Sequence, residues 1–380
     1  MNYKSKFGFG CMRLPLTDKN DGTKVNQETF NRMVDIYMEK GYNYFDTSYA
    51  YHDGASETAI KKAVVDRYPR ESYQIADKMP VWELTSEKDN EKYVNIMLER
   101  LGIEYFDVFL IHNLNVPWLK QTEENNTFEY VKKMKEDGVA KKIGFSFHEK
   151  AELLEEILDK YGDDLDIVQL ELNYLDWEDP LIEAEKCYDL CVEHGLDVYV
   201  MEPLKGGIIV NPPQDIKDAF NSFNPDENMA SLALRFCASL EQVKIVLSGM
   251  NKIEDLIDNC NTFDNFRLIT QKENDFLLKT ADELRSKIEI PCSECGYCLK
   301  ECPQMIPITE YFKIYNTAKT QTESDIYRSY YDTIAHEKVS AEECTYCGTC
   351  LDFCTQQIDI PEELEKVNEY FQEGFTPYEE

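Results

Sequence analysis

The stretch Val108-Phe109-Leu110-Ile111-His112 places four consecutive apolar residues directly before a histidine. Short, nearly all-apolar runs of this kind are typical of parallel β-strands that are buried on both faces. Similar runs recur along the chain, and each is followed by a longer segment whose apolar residues have the spacing of an α-helix. The stretch therefore predicts one strand of a parallel sheet that is covered by helices.

Eight such strand–helix pairs are predicted in the first 285 residues. The strands are expected at 7–12, 42–46, 73–79, 106–112, 141–147, 167–173, 197–202 and 244–249. The helices are expected at 27–40, 54–67, 87–101, 123–137, 149–161, 179–194, 228–239 and 252–260. Eight units of this kind close into a (β/α)8 TIM barrel. A doubly wound open sheet is the alternative, but no GxGxxG follows the first strand.

Polar side chains follow the predicted strands at the end where such barrels carry their active sites. The second strand ends at Asp46, and Tyr51 comes shortly after it; the third ends at Lys78 and the fourth at His112. We therefore expect these four residues around one barrel mouth. The alternative is a buried Asp–Lys ion pair, with Tyr51 and His112 as packing residues.

Eight of the thirteen cysteines form two copies of the spacing C-x2-C-x2-C-x3-C. The first copy is Cys292, Cys295, Cys298 and Cys302, and the second is Cys344, Cys347, Cys350 and Cys354. This spacing is that of [4Fe–4S] ligands, and in two-cluster ferredoxins the fourth cysteine of each copy binds the other cluster. We therefore predict two clusters, with Cys354 completing the first copy and Cys302 the second. Zinc is the alternative, but structural zinc sites usually use two separated C-x2-C pairs.

These motifs resemble those of the bacterial ferredoxin family, with two departures. Thr355 stands where a proline usually follows the fourth cysteine, and 41 residues separate Cys302 from Cys344. Residues 308–336 have helical spacing, which resembles the helical ferredoxin modules of some reductase subunits. We therefore predict a barrel domain at 1–285, followed at 286–380 by a small, mainly helical ferredoxin-like domain that ends in an acidic tail.

The formal charge of the chain is −33, from 73 acidic and 40 basic side chains. A field of this sign repels phosphate backbones and anionic lipid head groups, so it disfavours nucleic-acid and membrane-surface partners. No run of about 18 or more apolar residues predicts a transmembrane helix, and the N-terminus has no apolar signal segment. We therefore expect a cytoplasmic protein, whose clustered cysteines bind metal instead of forming disulfides.

The first 285 residues resemble the aldo-keto reductase family, in the subgroup that carries a C-terminal ferredoxin module. The matching stretches are 8–13, 45–57, 76–78, 110–112, 144–146 and 249–259. The resemblance implies that Tyr51 protonates a carbonyl oxygen during hydride addition. A free tyrosine has a pKa of about 10, which a neighbouring Lys78 ammonium would lower. Asp46 would hold this lysine, and His112 would orient the carbonyl oxygen.

The family binds a nicotinamide dinucleotide across the barrel mouth. The resemblance implies that Ser146 and Gln169 hold the carboxamide, and Asn259 also matches a position of the family's cofactor site. Some positions depart from the family, because Phe147 replaces an asparagine and Met201 replaces the aromatic residue that stacks on the nicotinamide. Gly249 and Asp255 stand where many members have a lysine and an arginine for the adenosine phosphate. An aspartate at that position would repel a 2′-phosphate.

These departures leave the barrel cofactor open between FMN and NAD(P)H. Nicotinamide moves electrons as a hydride, a cluster moves them singly, and a flavin can do both. The loops after strands seven and eight could seat the phosphate of FMN, through Lys205, Gly206, Gly207, Ser248 and Gly249. The 25-residue loop 203–227 would be either a lid over the site or a docking surface for the ferredoxin-like domain.

The sequence thus predicts an iron–sulfur oxidoreductase. Electrons would pass between a partner, such as a ferredoxin or another redox protein, the two clusters and the barrel cofactor. The substrate would be a small carbonyl or another two-electron acceptor. One alternative is a plain NAD(P)H-dependent carbonyl reductase with passive clusters. The other is a non-enzymatic electron-transfer or redox-sensing protein with a vestigial barrel.

Overall fold

The structure is a computed structural model that describes residues 3–18, 21–320 and 324–372. The chain forms two compact units, Met1–Leu204 with Glu227–Asn274, and Lys205–Asp226 with Asp275–Glu380. The chain therefore leaves the first unit after Leu204, returns to it at Glu227 and leaves it again at residue 274. The domain boundary proposed between residues 285 and 286 stays a prediction.

Eight parallel strands of the first unit close into a barrel in the order in which they occur along the chain. They are β1 Phe7–Gly10, β2 Tyr44–Asp46, β3 Gln74–Met79, β4 Phe106–Leu114, β5 Ala140–Phe147, β6 Ile167–Glu171, β7 Asp197–Met201 and β8 Val243–Gly249. Parallel pairing of β1 with β8 closes the ring. This closure confirms the predicted (β/α)8 barrel and excludes the open sheet.

The barrel interior is filled by side chains from alternate positions of the strands. Val108 and Leu110 of β4 belong to this interior cluster with Tyr44, Ala76, Ile167, Tyr199, Ile245 and Leu247. Because side chains alternate along a strand, Phe109 and Ile111 face the surrounding helices and are fully buried there. The apolar run that predicted β4 is thus explained by burial on both of its faces.

Ten helices or parts of helices surround the barrel. They are α1 Gln27–Glu39, α2 Ala55–Ile60, α3 Lys88–Leu101, α4 Val116–Glu124, α5 Thr127–Glu136, α6 Ala151–Tyr161, α7 Ala184–Glu193, α9 Met229–Ser239, α10 Ile253–Asp264 and the start of α11 Gln271–Arg285, with α8 Gln214–Phe223 in the second unit. The helix predicted at 123–137 is divided between α4 and α5, because Asn126 between them is left-handed, with φ 51°. The helix predicted at 179–194 begins only at Ala184, since Glu183 also has φ 51°.

Helices are the regular secondary structure of the second unit in its described residues, which confirms a mainly helical module after the barrel. It contains α8, the rest of α11, α12 Tyr297–Glu301, α13 Ile308–Thr320, α14 Ser324–Glu337 and α15 Ile360–Gln372. Helix α8 was not predicted within loop 203–227, and it joins this unit by stacking Phe223 on Phe276. The end of the predicted acidic tail, 373–380, lies outside the described residues. None of the helices described is both long and apolar enough to cross a lipid bilayer.

Candidate functional site

Lys78, near the end of β3, holds the centre of the barrel mouth. Its Nζ lies 2.5 Å from Asp46 Oδ1 at the end of β2, and it also donates to the Thr47 carbonyl oxygen at 2.8 Å. A third contact of 3.5 Å joins Nζ to the Tyr51 hydroxyl. Lys78 and Asp46 are only 1% and 2% exposed, so water screens their charges weakly. The structure therefore brings three of the four predicted catalytic residues together.

Tyr51 lies at the start of a strained turn that follows β2. His52 and Asp53 both have φ 54°, a left-handed conformation that costs non-glycine residues energy. The His52 ring stabilises this turn, because Nε2 accepts from the Leu14 amide at 3.1 Å and Nδ1 lies 2.7 Å from the Gly22 carbonyl oxygen. Sequence reasoning did not identify His52, whose two contacts hold the turn that begins at Tyr51.

His112, within β4, completes the group as a neutral imidazole. Its ring centre is 6.0 Å from that of Tyr51, and its Nδ1 lies 3.0 Å from Ser48 Oγ. Ser48 Oγ accepts from the Ala50 amide at 3.2 Å, so its hydroxyl hydrogen can be donated to Nδ1 and the ring proton then sits on Nε2. Burial lowers the pKa of His112 well below its usual range, and the charges of Lys78 and His148 lower it further.

A buried carboxyl pair, Asp77 and Glu57, lies next to Lys78. Burial raises the pKa of Asp77 well above its usual range, and the neighbouring Glu57 raises it further. Burial also raises the pKa of Glu57 to about 7, although the Arg100 guanidinium, 2.8 Å from its Oε2, opposes this shift. Asp77 Oδ1 accepts from the Lys78 amide at 2.8 Å. Asp77 therefore anchors the backbone of Lys78, a role that a polar residue inside a buried strand could have signalled.

Two of the predicted carboxamide contacts adjoin the catalytic residues. Gln169 on β6 donates through Nε2 to Asp46 Oδ2 at 3.0 Å, which leaves its Oε1 as an acceptor. Ser146 Oγ on β5 accepts from the Asn113 amide at 2.8 Å, so its hydroxyl hydrogen remains to be donated. Both side chains are buried. An acceptor and a donor at the mouth are what a carboxamide requires, so these residues fit the nicotinamide end of a dinucleotide.

The remaining predicted cofactor contacts of the first unit lie at the ends of β7 and β8. Met201 is the last residue of β7 and is partly exposed, and Gly249 is the last residue of β8 and is exposed. Asn259 on α10 donates through Nδ2 to Ser248 Oγ at 3.0 Å, and both side chains are buried. This bond ties the end of β8 to α10, and the contacts to a cofactor stay a prediction.

Lys205, Gly206 and Gly207, which were also predicted as cofactor contacts, pack within the second unit. The Lys205 ammonium is 2% exposed and donates to Gln356 Oε1 at 2.6 Å. Gly206 has φ 63°, and a Cβ added there would lie 2.1 Å from the Ser293 carbonyl oxygen, so this close approach requires glycine. Most of loop 203–227 belongs to the second unit, and both roles considered for it stay predictions.

The two cysteine motifs share one backbone geometry. Glu294 and Tyr346, each between the first and second cysteine of its copy, both have φ 55°. The glycines that follow the second cysteines, Gly296 and Gly348, have φ 79° and 75°. The backbone thus turns in the same way at equivalent positions of the two copies.

The fourth cysteine of each copy lies with the other copy. Burial raises the pKa of Cys292 to about 12, and Cys354 is among the neighbouring thiols that raise it further. In the second copy, Cys302 lines a cavity together with Cys344, Cys347 and Cys350, beside Ile306 and Leu364. Two sets of four thiols fit two cubane clusters, each with four irons to ligate. In the described part of the chain, no three Cys, His, Asp or Glu side chains converge on a single metal ion.

Two family models match the chain. Residues 6–277 match the model of the aldo/keto reductase family, and residues 291–358 match that of a 4Fe-4S dicluster domain. Together the two matches cover most of the chain. The dicluster match supports iron–sulfur clusters over zinc.

Curated relatives and solved structures agree with the barrel assignment. An uncharacterized oxidoreductase, YqkF, of Bacillus subtilis is 24% identical over 71% of this chain and 90% of its own. An NADH-specific methylglyoxal reductase of Escherichia coli is 30% identical over 46% of this chain and 57% of its own.

Two crystal structures of aldo-keto reductases share the fold. The holo form of a Bacillus halodurans enzyme has a TM-score of 0.59 and 24% identity, and covers 72% of this chain and 91% of its own. A Klebsiella pneumoniae enzyme in complex with NADP and acetate has a TM-score of 0.56 and 19% identity over 72% and 90%. These comparisons do not support FMN, one of the two barrel cofactors that the sequence left open.

Exchange of the fourth cysteines can be tested with single substitutions. We expect Cys354→Ala to damage the cluster of Cys292, Cys295 and Cys298 and to spare the other, because the Cys354 thiol lies with that set. Cys302→Ala should do the reverse. Iron analysis with anaerobic EPR spectroscopy measures both losses, and damage confined in each variant to the cluster of its own motif would contradict the exchange.

Proposed function

The chain belongs to the aldo/keto reductase family, and on this premise we propose that its barrel reduces a small aldehyde or ketone to the alcohol with a nicotinamide cofactor. The observation that carries the proposal is the set of contacts around Lys78, whose Nζ lies 2.5 Å from Asp46 and 3.5 Å from the Tyr51 hydroxyl. A structural ion pair alone would not require a tyrosine hydroxyl beside it at the strand ends, where barrels of this type carry out their chemistry.

The reaction divides into a hydride and a proton. When bound, the nicotinamide supplies a hydride, and thus two electrons, to the carbonyl carbon. The Tyr51 hydroxyl donates its proton to the carbonyl oxygen, so the alcohol forms and a negative charge stays on the tyrosine oxygen until solvent returns a proton. The Lys78 ammonium stabilises that charge, and Asp46 keeps the ammonium in place. His112 donates from Nε2 to the same carbonyl oxygen and orients it.

We further propose that the barrel prefers NADH to NADPH. Asp255 is exposed near the start of α10, at a position where many family members place an arginine. A carboxylate there repels the 2′-phosphate by which NADPH differs from NADH. The NADH-specific reductase of Escherichia coli, which is 30% identical to part of this chain, supports the same preference.

The proposed role of the clusters is one-electron exchange with a redox protein such as a ferredoxin. Five of the eight cluster cysteines are only partly buried, and Cys347 is exposed, so electrons can reach the second unit from outside. The barrel reaction uses a hydride, so a carrier that accepts both single electrons and pairs would be needed to couple it to the clusters. Without such a carrier, the clusters and the carbonyl reaction would serve separate partners.

Tyr51 is the residue on which carbonyl reduction depends most directly. We expect Tyr51→Phe to lower kcat for reduction of a small aldehyde by about 100-fold or more, the range of general acid catalysis, with little change in cluster content. Tyr68→Phe, which removes a hydroxyl that contacts Asp35 away from the mouth, is the matched control. Unchanged kcat in Tyr51→Phe would remove the basis of the proposal.

Asp255 should set the preference between the two dinucleotides. Asp255→Arg is expected to raise kcat/KM with NADPH relative to NADH by roughly tenfold, since arginine forms strong charge-assisted contacts with phosphate. Glu254→Arg makes the same charge change one residue away and should have a smaller effect. Steady-state kinetics with both dinucleotides measure the ratio, and equal ratios in the two variants would contradict the assigned position.

The cofactor content of the purified protein tests the proposal as a whole. About eight irons and eight sulfides per chain are expected for two cubanes, with a nicotinamide dinucleotide and no flavin released on denaturation. Iron and sulfide assays, with mass spectrometry of the released cofactor, provide the result. Stoichiometric FMN would contradict direct hydride transfer from nicotinamide and would support an electron-transfer chain that ends at a barrel flavin.

A further inference from the structure

Lys205 begins a chain of hydrogen bonds that ends at a cluster ligand. Its Nζ donates to Gln356 Oε1 at 2.6 Å, and Gln356 Nε2 lies 3.5 Å from Thr355 Oγ1. Thr355 Oγ1 in turn lies 3.6 Å from Cys295 Sγ. Lys205 and Gln356 are each 2% exposed and Thr355 is 3% exposed, so these three groups are shielded from water, whereas Cys295 is partly buried.

The chemistry of the groups fixes the direction of these bonds. An ammonium and an amide nitrogen can only donate, so Gln356 accepts from Lys205 through its oxygen and donates to Thr355 through its nitrogen. A cluster-bound cysteine is a thiolate and can only accept, so the Thr355 hydroxyl donates to Cys295 Sγ. Every donor therefore points toward the cluster, and aligned hydrogen bonds of this kind polarise one another.

The other cluster has no equivalent of this arrangement at the matching positions. Pro303 follows Cys302 where Thr355 follows Cys354, and proline has no hydroxyl. On that side a hydroxyl bond runs from Thr349 to Cys347 Sγ at 3.5 Å, and both of these residues are exposed. Water competes with and screens an exposed bond, so it affects the cluster less than a buried one does.

We propose that Lys205, Gln356 and Thr355 form a potential-setting relay that makes the cluster bound by Cys295 easier to reduce. Reduction adds one negative charge to the cluster, and hydrogen bonds to its sulfurs, together with a nearby positive charge, stabilise that charge. The electron comes from the external reductant, and no atom is transferred. Lys205 and Thr355 would thus act on the reduction potential of the cluster through hydrogen bonds, and not as ligands.

Backbone packing explains how the lysine reaches this place. Lys205 follows β7 by only a few residues, and it adopts a left-handed φ of 42° that is unusual for a lysine. Gly206 then approaches the Ser293 carbonyl so closely that no other residue fits. Because Ser293 directly follows the ligand Cys292, this contact pins the segment to the first cysteine motif. The relay therefore connects the loop after β7 with the cluster.

An anaerobic redox titration of the full chain, with dithionite as reductant and EPR detection, tests the relay. We expect Lys205→Met to shift one of the two cluster potentials to more negative values and to leave the other in place. Lys217→Met removes the same charge from an exposed position on α8 and should shift neither. A Lys205→Met protein with full iron content and an unchanged potential would overturn the role of the ammonium.

Thr355 provides a second and milder test. Thr355→Val keeps the shape of the side chain and removes the hydroxyl, so it should shift the same cluster potential in the same direction, and Thr355→Ser should restore it. If Lys205→Met fails to assemble its clusters, this pair decides, because an unshifted Thr355→Val overturns the relay. The inference rests on the dicluster assignment, whereas carbonyl reduction rests on Tyr51, so either can fail without the other.

Discussion

Closure of the barrel by pairing of β1 with β8 is the constraint on which the rest of the first unit depends. A closed ring of parallel strands brings the carboxyl ends of all strands to one rim. Asp46, Lys78 and His112 come from three successive strands and are far apart in sequence, yet the ring brings them within reach of one tyrosine hydroxyl. An open sheet would carry the same residues along an edge, without a common centre.

The charged groups at this rim are held in place by several polar partners. Lys78 is held by a carboxylate and by a backbone carbonyl, and Gln169 holds the other oxygen of that carboxylate. Asp77, which is paired with Glu57, accepts a hydrogen bond from the backbone amide of the same lysine. Taking such groups out of water costs stability, and in the proposed reaction their dipoles would already point at the developing charge.

In the second unit, the arrangement of polar groups concerns the cysteine motifs. Its two cysteine motifs have matching left-handed residues, and Cys302 of the first motif lines a cavity with three cysteines of the second, as the predicted exchange of fourth cysteines requires. The symmetry is broken at one position, where a threonine stands in place of the proline that the other motif has. That departure, together with a lysine from the loop after β7, makes two otherwise similar clusters electrostatically different.

The sequence by itself determined the barrel, the helical module and the residues at the strand ends. Apolar periodicity and ligand spacing are local properties, so they can be read along the chain without knowing which residues are in contact. It predicted all eight strands to within a few residues, and it also predicted two cysteine sets with exchanged fourth members. It did not predict the break at Asn126, the late start of α7 or helix α8, since these depend on left-handed residues and on aromatic packing with distant segments. Only the tertiary structure decided that residues 205–226 belong to the second unit. Only there do Lys205 and Gln356, which lie far apart in sequence, form a hydrogen bond, because such contacts depend on which buried surfaces meet and not on any pattern along the chain.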